Sequence, residues 1–157
     1  MISQTVRFVR GFVVSLAIAV LAGCAANGPV SAPASDTNAD RAVAVAVQQI
    51  GVPYRYGGST PGGFDCSGLV HYSYAQAGKT VPRTTATLWS ELRPVSERDL
   101  RAGDVLFFRI AGKMSHVGLY VGGGEFVHAP SSGKVVSIGS LRSDFYADAF
   151  IRAGRPN

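Results

Sequence analysis

Cysteine is scarce in this chain: there are two in 157 residues, alongside one tryptophan and two methionines. Neither a C-x-x-C nor an H-x-x-x-H pair occurs, so the close-spaced ligands that usually mark a zinc site are missing. Charged residues make up 16% of the sequence. The basic ones are scattered, with no aromatic-interleaved patch suited to nucleic acid. Gly122-Gly123-Gly124 does not open a helix, so no phosphate-cradling loop is present. There is no internal repeat, and the one long apolar run is too short to span a bilayer comfortably. These absences leave a single small domain with no expected metal or cofactor.

The N-terminus carries a targeting pattern. Arg7 and Arg10 precede an apolar stretch, Gly11 to Leu21, in which Ser15 is the only polar side chain. That is a charged n-region followed by a short h-region. It ends in Leu21-Ala22-Gly23-Cys24, and small residues before a cysteine resemble the lipobox of bacterial lipoproteins. The resemblance implies that residues 1–23 are a signal peptide and that Cys24 becomes the lipidated first residue of the mature chain. An uncleaved anchor, or an ordinary signal peptide cleaved near Ala22, are the alternatives. Covalent lipid contributes about 0.8 kcal/mol per buried CH₂, so several acyl chains would hold the protein at a membrane. Ala25, where an acidic residue would stand in other sorting patterns, implies the periplasmic side of an outer membrane. From Ala25 to about Asn38 the chain is mostly Ala, Ser, Pro, Asn and Gly, which cannot form a core and reads as a flexible tether. Its average reach is about 20 Å.

Lipid on Cys24 would leave Cys66 unpaired in a compartment that permits disulfides. Cys66 stands where a loop becomes a helix, in Gly63-Phe64-Asp65-Cys66-Ser67-Gly68-Leu69-Val70. Residues Ser67 to Ala77 contain no proline, and Gly78 supplies the stop. Leu69, Val70, Tyr72, Ser73 and Ala77 can form one core-facing stripe. Asp65 is the expected N-cap, and Gly57 to Gly63 reads as loop. Helix N-terminal N–H groups and a nearby imidazole both lower a thiol's pKa, so an activated thiolate is expected at Cys66. The bland alternative is a small buried apolar residue.

The histidines fall on a hairpin. Ser115 to Val121 alternates as a strand, three glycines turn the chain, and Glu125 to His128 returns. A three-glycine loop pairs Val121 with Glu125 and Gly118 with His128. His116 and His128 are then diagonal neighbours on one face, about 7–8 Å apart at the backbone, with Gly118 leaving room for the His128 ring. His116 can act as a base while His128 holds its second ring nitrogen. A one-residue change in the loop would put the rings on opposite faces. A metal site made from Cys66, His116 and His128 is the competing use of the same residues. His71 lies about 140° around the helix from Cys66 and has no expected catalytic duty.

Several segments, in order, resemble the NlpC-type cell-wall cysteine peptidases, a papain-like family of bacterial peptidoglycan hydrolases. They are Tyr54-Arg55-Tyr56-Gly57-Gly58, Asp65-Cys66-Ser67-Gly68, Pro82-Arg83-Thr84-Thr85, Gly103 to Phe108, His116 to Gly122 and Phe126-Val127-His128-Ala129. The chain is most similar to the short lipoprotein members. The resemblance implies Cys66 as nucleophile, His116 as general base, His128 as third polar residue, and Tyr54, Asp65 and Ser67 lining the subsite for the stem peptide. It also implies peptidoglycan as partner and an endopeptidase activity on stem peptides or cross-links. An amidase cutting the glycan–peptide link, an acyltransferase, or a wall-binding lipoprotein without activity are the rivals. A binder has no need of a Cys-His-His set. No regulatory partner can be read from the sequence.

Residues 39–157 have the length of one domain. Asn38 or Asp40 can cap a first helix with Val43, Val45, Val47 and Ile50 as its apolar members, although Ala-Val alternation also suits a strand. A short helix, Thr85 to Leu92, carries Trp89. Strands are expected at Asp104 to Arg109, Ser115 to Val121, Glu125 to Ala129, Val135 to Ile138 and Ala149 to Arg152. Helices before strands give an α+β, papain-like layout, with the Cys helix packed on an antiparallel sheet that bears both histidines. The formal net charge of +5 falls to +3 once residues 1–23, with Arg7 and Arg10, are removed. Such a surface suits an anionic wall, though ordinary solvation accounts for most of these residues.

Overall fold

The structure is a computed structural model that describes residues 37–157. The expected signal peptide, the Cys24 lipid site and nearly all of the expected tether lie outside the described residues. Three helices precede the main sheet: α1 (Thr37–Gln48), α2 (Cys66–Gln76) and α3 (Thr85–Glu91). Two short strands, β1 (Ser59–Thr60) and β2 (Gly63–Phe64), pair where the glycine-rich stretch reads as loop. The main strands follow: β3 (Arg93–Val95), β4 (Val105–Ile110), β5 (Lys113–Gly122), β6 (Glu125–His128), β7 (Ser137–Ser140) and β8 (Phe150–Arg155). They form one antiparallel sheet in the order β3-β8-β4-β5-β6-β7. A last short helix, α4 (Asp144–Ala149), precedes β8. Among the described residues no helix is long and apolar enough to cross a membrane.

The architecture is the expected α+β one, but several details differ. In α1 the buried residues are Ala39, Ala42 and Ala46, while Val47 is 41% and Ile50 46% exposed. The helix is therefore rotated from its expected face. Small side chains let α1 lie close to the rest of the core, where Gly103 comes up against the Ala39 methyl. Tyr74, outside the expected α2 stripe, is fully buried and donates its hydroxyl to the Gly103 carbonyl at 2.6 Å. The Val135 to Ile138 strand is displaced to Ser137–Ser140, and Val135 makes only an isolated bridge to Pro53. At the other end, Arg155 grips the buried Asp104 carboxylate with two bonds of 2.7 Å, fastening β8 beside the start of β4.

Both faces of the sheet are covered. Val105, Phe107, Val117, Leu119 and Val127 share one core with Leu69, Val70 and Leu88 of the helices. Leu106, Phe108 and Phe126 form the second core with Ala149 and the half-buried Tyr146. Alternation along the strands sets this division, because neighbouring residues point to opposite faces.

The hairpin register decides where the histidines go. The turn is tighter than a three-glycine loop: Gly122 pairs with Glu125 across Gly123-Gly124, both at positive φ. That one-residue change should reverse the faces. A bulge at Val121 cancels it, because pairing resumes with Tyr120↔Phe126 and Leu119↔Val127. His116 and His128 consequently return to one face. The space over Gly118 is not taken by the His128 ring as expected. A Cβ there would come within 2.5 Å of the Phe126 ring, and a Cβ on Gly139 would meet the same ring at 2.5 Å. Phe126 thus lies between two glycines on the flanking strands, with His128 5.1 Å from it.

Candidate active site

Cys66 begins α2, and the Asp65 carboxylate caps that helix by accepting from the Gly68 N–H at 2.7 Å. The same carboxylate accepts two bonds from Arg83, at 2.9 and 2.8 Å, and one from the Gly57 N–H at 2.9 Å. Ser67 adds a longer bond at 3.3 Å. Arg83 also reaches the Ser67 hydroxyl and the Gly58 carbonyl. Burial alone would raise the Asp65 pKa. The Arg83 hydrogen bonds, the Gly68 N–H and the Arg83 charge outweigh it and hold the carboxyl below its ordinary value. Arg83 therefore ties the glycine-rich hairpin to the start of the Cys helix. In the sequence Arg83 stands in a motif without an assigned task, and the only signal for one is a basic residue far along the chain from an isolated carboxylate.

A cleft of about 410 Å³ opens beside the thiol. Tyr54, Asp65 and Ser67, the three residues expected to receive substrate, all line it together with Cys66. Arg83, Thr85, Ser115 and Tyr56 line it as well and were not singled out from the sequence. Tyr56 stands 90% exposed at its mouth. The Tyr54 hydroxyl has its pKa raised by burial and by the neighbouring Cys66, Asp65 and Tyr56, so it stays a proton donor.

His116 and His128 are brought together on β5 and β6, joined Nε2 to Nδ1 at 2.8 Å, and both are buried. They lie on the sheet face opposite the one that α2 covers, with Phe108 6.0 Å from His116. The thiol meets the strand backbone instead. Its sulfur is 3.9 Å from the Ser115 carbonyl oxygen and 4.0 Å from the Thr85 hydroxyl, and the Val117 N–H also acts on it. Ser115 is the extra residue of a second bulge, since Phe108 pairs with His116 and Arg109 with Met114. The sulfur thus rests against the backbone on both sides of His116. Among the described residues it makes no hydrogen bond to an imidazole, the loose arrangement common in unliganded sites. His71, the third histidine, bonds the Val81 carbonyl through Nδ1 at 2.7 Å, away from the cleft chemistry.

Burial governs the charges here. Burial pushes the Cys66 thiol up, against the expectation of an activated thiolate; the Val117, Thr85 and Ser67 donors offset this only in part. Burial and the adjacent His128 lower His116 to about 3, and burial lowers His128 to about 4. At neutral pH the resting set is a protonated thiol with two neutral imidazoles. Such a set holds no preformed thiolate, so a thiolate at Cys66 needs a base to take its proton. Among the described residues no group of three or more His, Cys, Asp or Glu could hold a metal ion.

The NlpC/P60 family model matches residues 51–155. The murein DD-endopeptidase MepH of Escherichia coli (strain K12) is 43% identical over 115 residues, covering 69% of this chain and 42% of that protein. The bifunctional muramidase/DL-endopeptidase CwlT of Bacillus subtilis (strain 168) is 41% identical over 114 residues, 70% of this chain and 34% of that protein. This chain therefore spans less than half the length of these curated relatives. Among solved structures, the NlpC/p60 domain of the peptidoglycan hydrolase SagA is 36% identical with a TM-score of 0.66, covering 75% of this chain and 98% of that one.

The buried imidazoles have a consequence for stability. Unfolded, both histidines titrate near 6.5; folded, they stay neutral to about 4 and about 3. Below pH 6.5 the unfolded state therefore binds more protons, so stability falls as pH drops from 6.5 toward 4. Melting temperatures between pH 7.5 and 4.5 should show that fall, and His128→Gln should flatten part of it. A melting temperature unchanged over the window would contradict the neutral pair.

Proposed function

The chain belongs to the NlpC/P60 family, and on that premise we propose that it is a peptidoglycan endopeptidase cutting amide bonds in stem peptides or cross-links. The observation that carries this reading is the buried 2.8 Å imidazole pair with the Cys66 sulfur against the backbone on either side of His116. The relatives named as endopeptidases and peptidoglycan hydrolases support it.

Chemistry follows from the groups in place. His128 engages His116 Nε2, so Nδ1 is the nitrogen left to serve the thiol. Cys66 Sγ attacks the carbonyl carbon of a stem-peptide amide while its proton passes to His116. The developing oxyanion is met by the Cys66 N–H at the start of α2 and by the Tyr54 hydroxyl across the cleft. Collapse expels the amine, which takes the proton back from His116, and leaves a thioester on Cys66. Water, deprotonated by His116, then releases the acid and restores the thiol. In this scheme Asp65 and Ser67 form part of the wall that receives the peptide, held in shape by Arg83.

Location is part of the same proposal. Cys24 carries lipid, and the tether lets the domain search the wall from the periplasmic side of an outer membrane. Arg7, Arg10 and Leu21-Ala22-Gly23-Cys24 support this. With Cys24→Ser and its own signal peptide, the protein should leave the membrane fraction. Retention after a high-salt wash would mean a transmembrane anchor instead.

Purified wall digested with the protein, followed by mass analysis of soluble muropeptides, tests the activity and identifies the bond. Cys66→Ala and Cys66→Ser should fold, by circular dichroism, and release nothing. His116→Ala should lose most activity at every pH, since general acid–base transfer supplies about 10²–10⁴-fold. His128→Asn or His128→Gln should keep a measurable part of the rate, and His128→Ala should lose far more. Full activity in either Cys66 variant, or an active His116→Ala protein, would remove the mechanism.

A further inference from the structure

His128 has two ring nitrogens, and the bond to His116 uses only Nδ1. The other, Nε2, faces the hydroxyl of Tyr146 at 3.4 Å. Tyr146 arrives from α4, and its ring stands at 90° to His128 with centroids 5.3 Å apart. Phe108 and Phe126 hold that ring at 5.3 and 4.9 Å. The groups packed on His128 are thus His116 of β5, Tyr146 of α4 and the apolar Phe126 of β6; only the first two titrate. His128 is 2% exposed, so a proton on Nε2 needs a protein acceptor.

Three groups in a row allow two directions of donation. In one, Tyr146 donates to His128 Nε2, His128 Nδ1–H donates to His116 Nε2, and His116 carries its proton on Nδ1. No lone pair then remains for the thiol. In the other, His116 Nε2–H donates to His128 Nδ1, His128 Nε2–H donates to Tyr146 Oη, and His116 Nδ1 is bare. Only the second direction serves the reaction proposed above, on which this inference rests. The same direction is forced once His116 takes the Cys66 proton, because both of its nitrogens are then donors. Tyr146 is half-buried, so its own O–H can turn toward solvent while its oxygen accepts.

We propose that Tyr146 is a positioning residue: its oxygen accepts the His128 Nε2–H and so holds both imidazoles in the tautomers that leave His116 Nδ1 open to the Cys66 proton.

Ring-¹⁵N histidine NMR on the Cys66→Ala protein reads both tautomers with no need of activity. Nε2–H is expected at His128 and at His116. Adding Tyr146→Phe keeps the aromatic packing and removes the acceptor, so His128 should shift toward a mixture of tautomers. With Cys66 intact, Tyr146→Phe should lower kcat on a soluble cross-linked muropeptide by about three- to tenfold, the scale of one lost hydrogen bond. KM and the melting temperature should hold, and the change should have no further effect when added to His128→Gln. An Nδ1–H tautomer at His128 overturns the proposal. Unchanged tautomers and turnover in Tyr146→Phe do so too, as does an undiminished loss in the His128→Gln background. A wild-type protein that releases nothing from wall would sink the hydrolase reading alone, and the tautomers would still decide for or against Tyr146.

Discussion

Two imidazoles buried side by side must satisfy one another, and the 2.8 Å bond between His116 and His128 does so only in one register of the β5–β6 hairpin. Sliding either strand by one residue would send one ring into the opposite core among Val117, Leu119 and Val127. The tight Gly123-Gly124 turn and the bulge at Val121 are two departures from regular pairing that cancel. Phe126 adds a second lock. Its ring fits over Gly118 and Gly139, where any side chain would collide with it, and it packs against His128. The small residues in these strands are thus part of what places the two imidazoles.

The thiol is positioned by a different route. α2 covers one face of the sheet while the imidazoles point to the other, and the sulfur rests against the strand backbone on either side of His116. The bulge at Ser115 shapes the backbone where Sγ rests. Asp65 fixes the first turn of α2, and Arg83 binds Asp65, Ser67 and the Gly58 carbonyl into one unit. Gly68 permits this closeness, since a Cβ there would lie 2.0 Å from the Gly58 oxygen. Burial keeps the resting groups uncharged, so in the proposed reaction charge separates only as the sulfur attacks.

Local signals made much of this legible. The Asp65 cap, the α2 span and the glycine stop are short-range features, and each stands where the sequence puts it within a residue. The shared face of His116 and His128 follows from strand alternation and a register count. The turn itself differs from a three-glycine loop, and the expected pairing survives because a bulge restores what the tighter loop removes. The face of α1 was not legible: valine outranks alanine in hydrophobicity, but close packing of the helix selected Ala39, Ala42 and Ala46. Arg83 and Tyr146 were missed for a related reason. Their partners Asp65 and His128 each lie 18 residues away in the chain, and only the tertiary fold joins them.

A thioester on Cys66 is the central claim, and its direct capture is the most telling measurement. Wild-type protein mixed with a soluble cross-linked muropeptide, acid-quenched within milliseconds to seconds and weighed intact, should gain the mass of one stem-peptide acyl group. Fragmentation should place that mass on Cys66, and hydroxylamine should remove it. Muropeptide cleavage proceeding with no adduct at any time, or an adduct on another residue, would contradict the account.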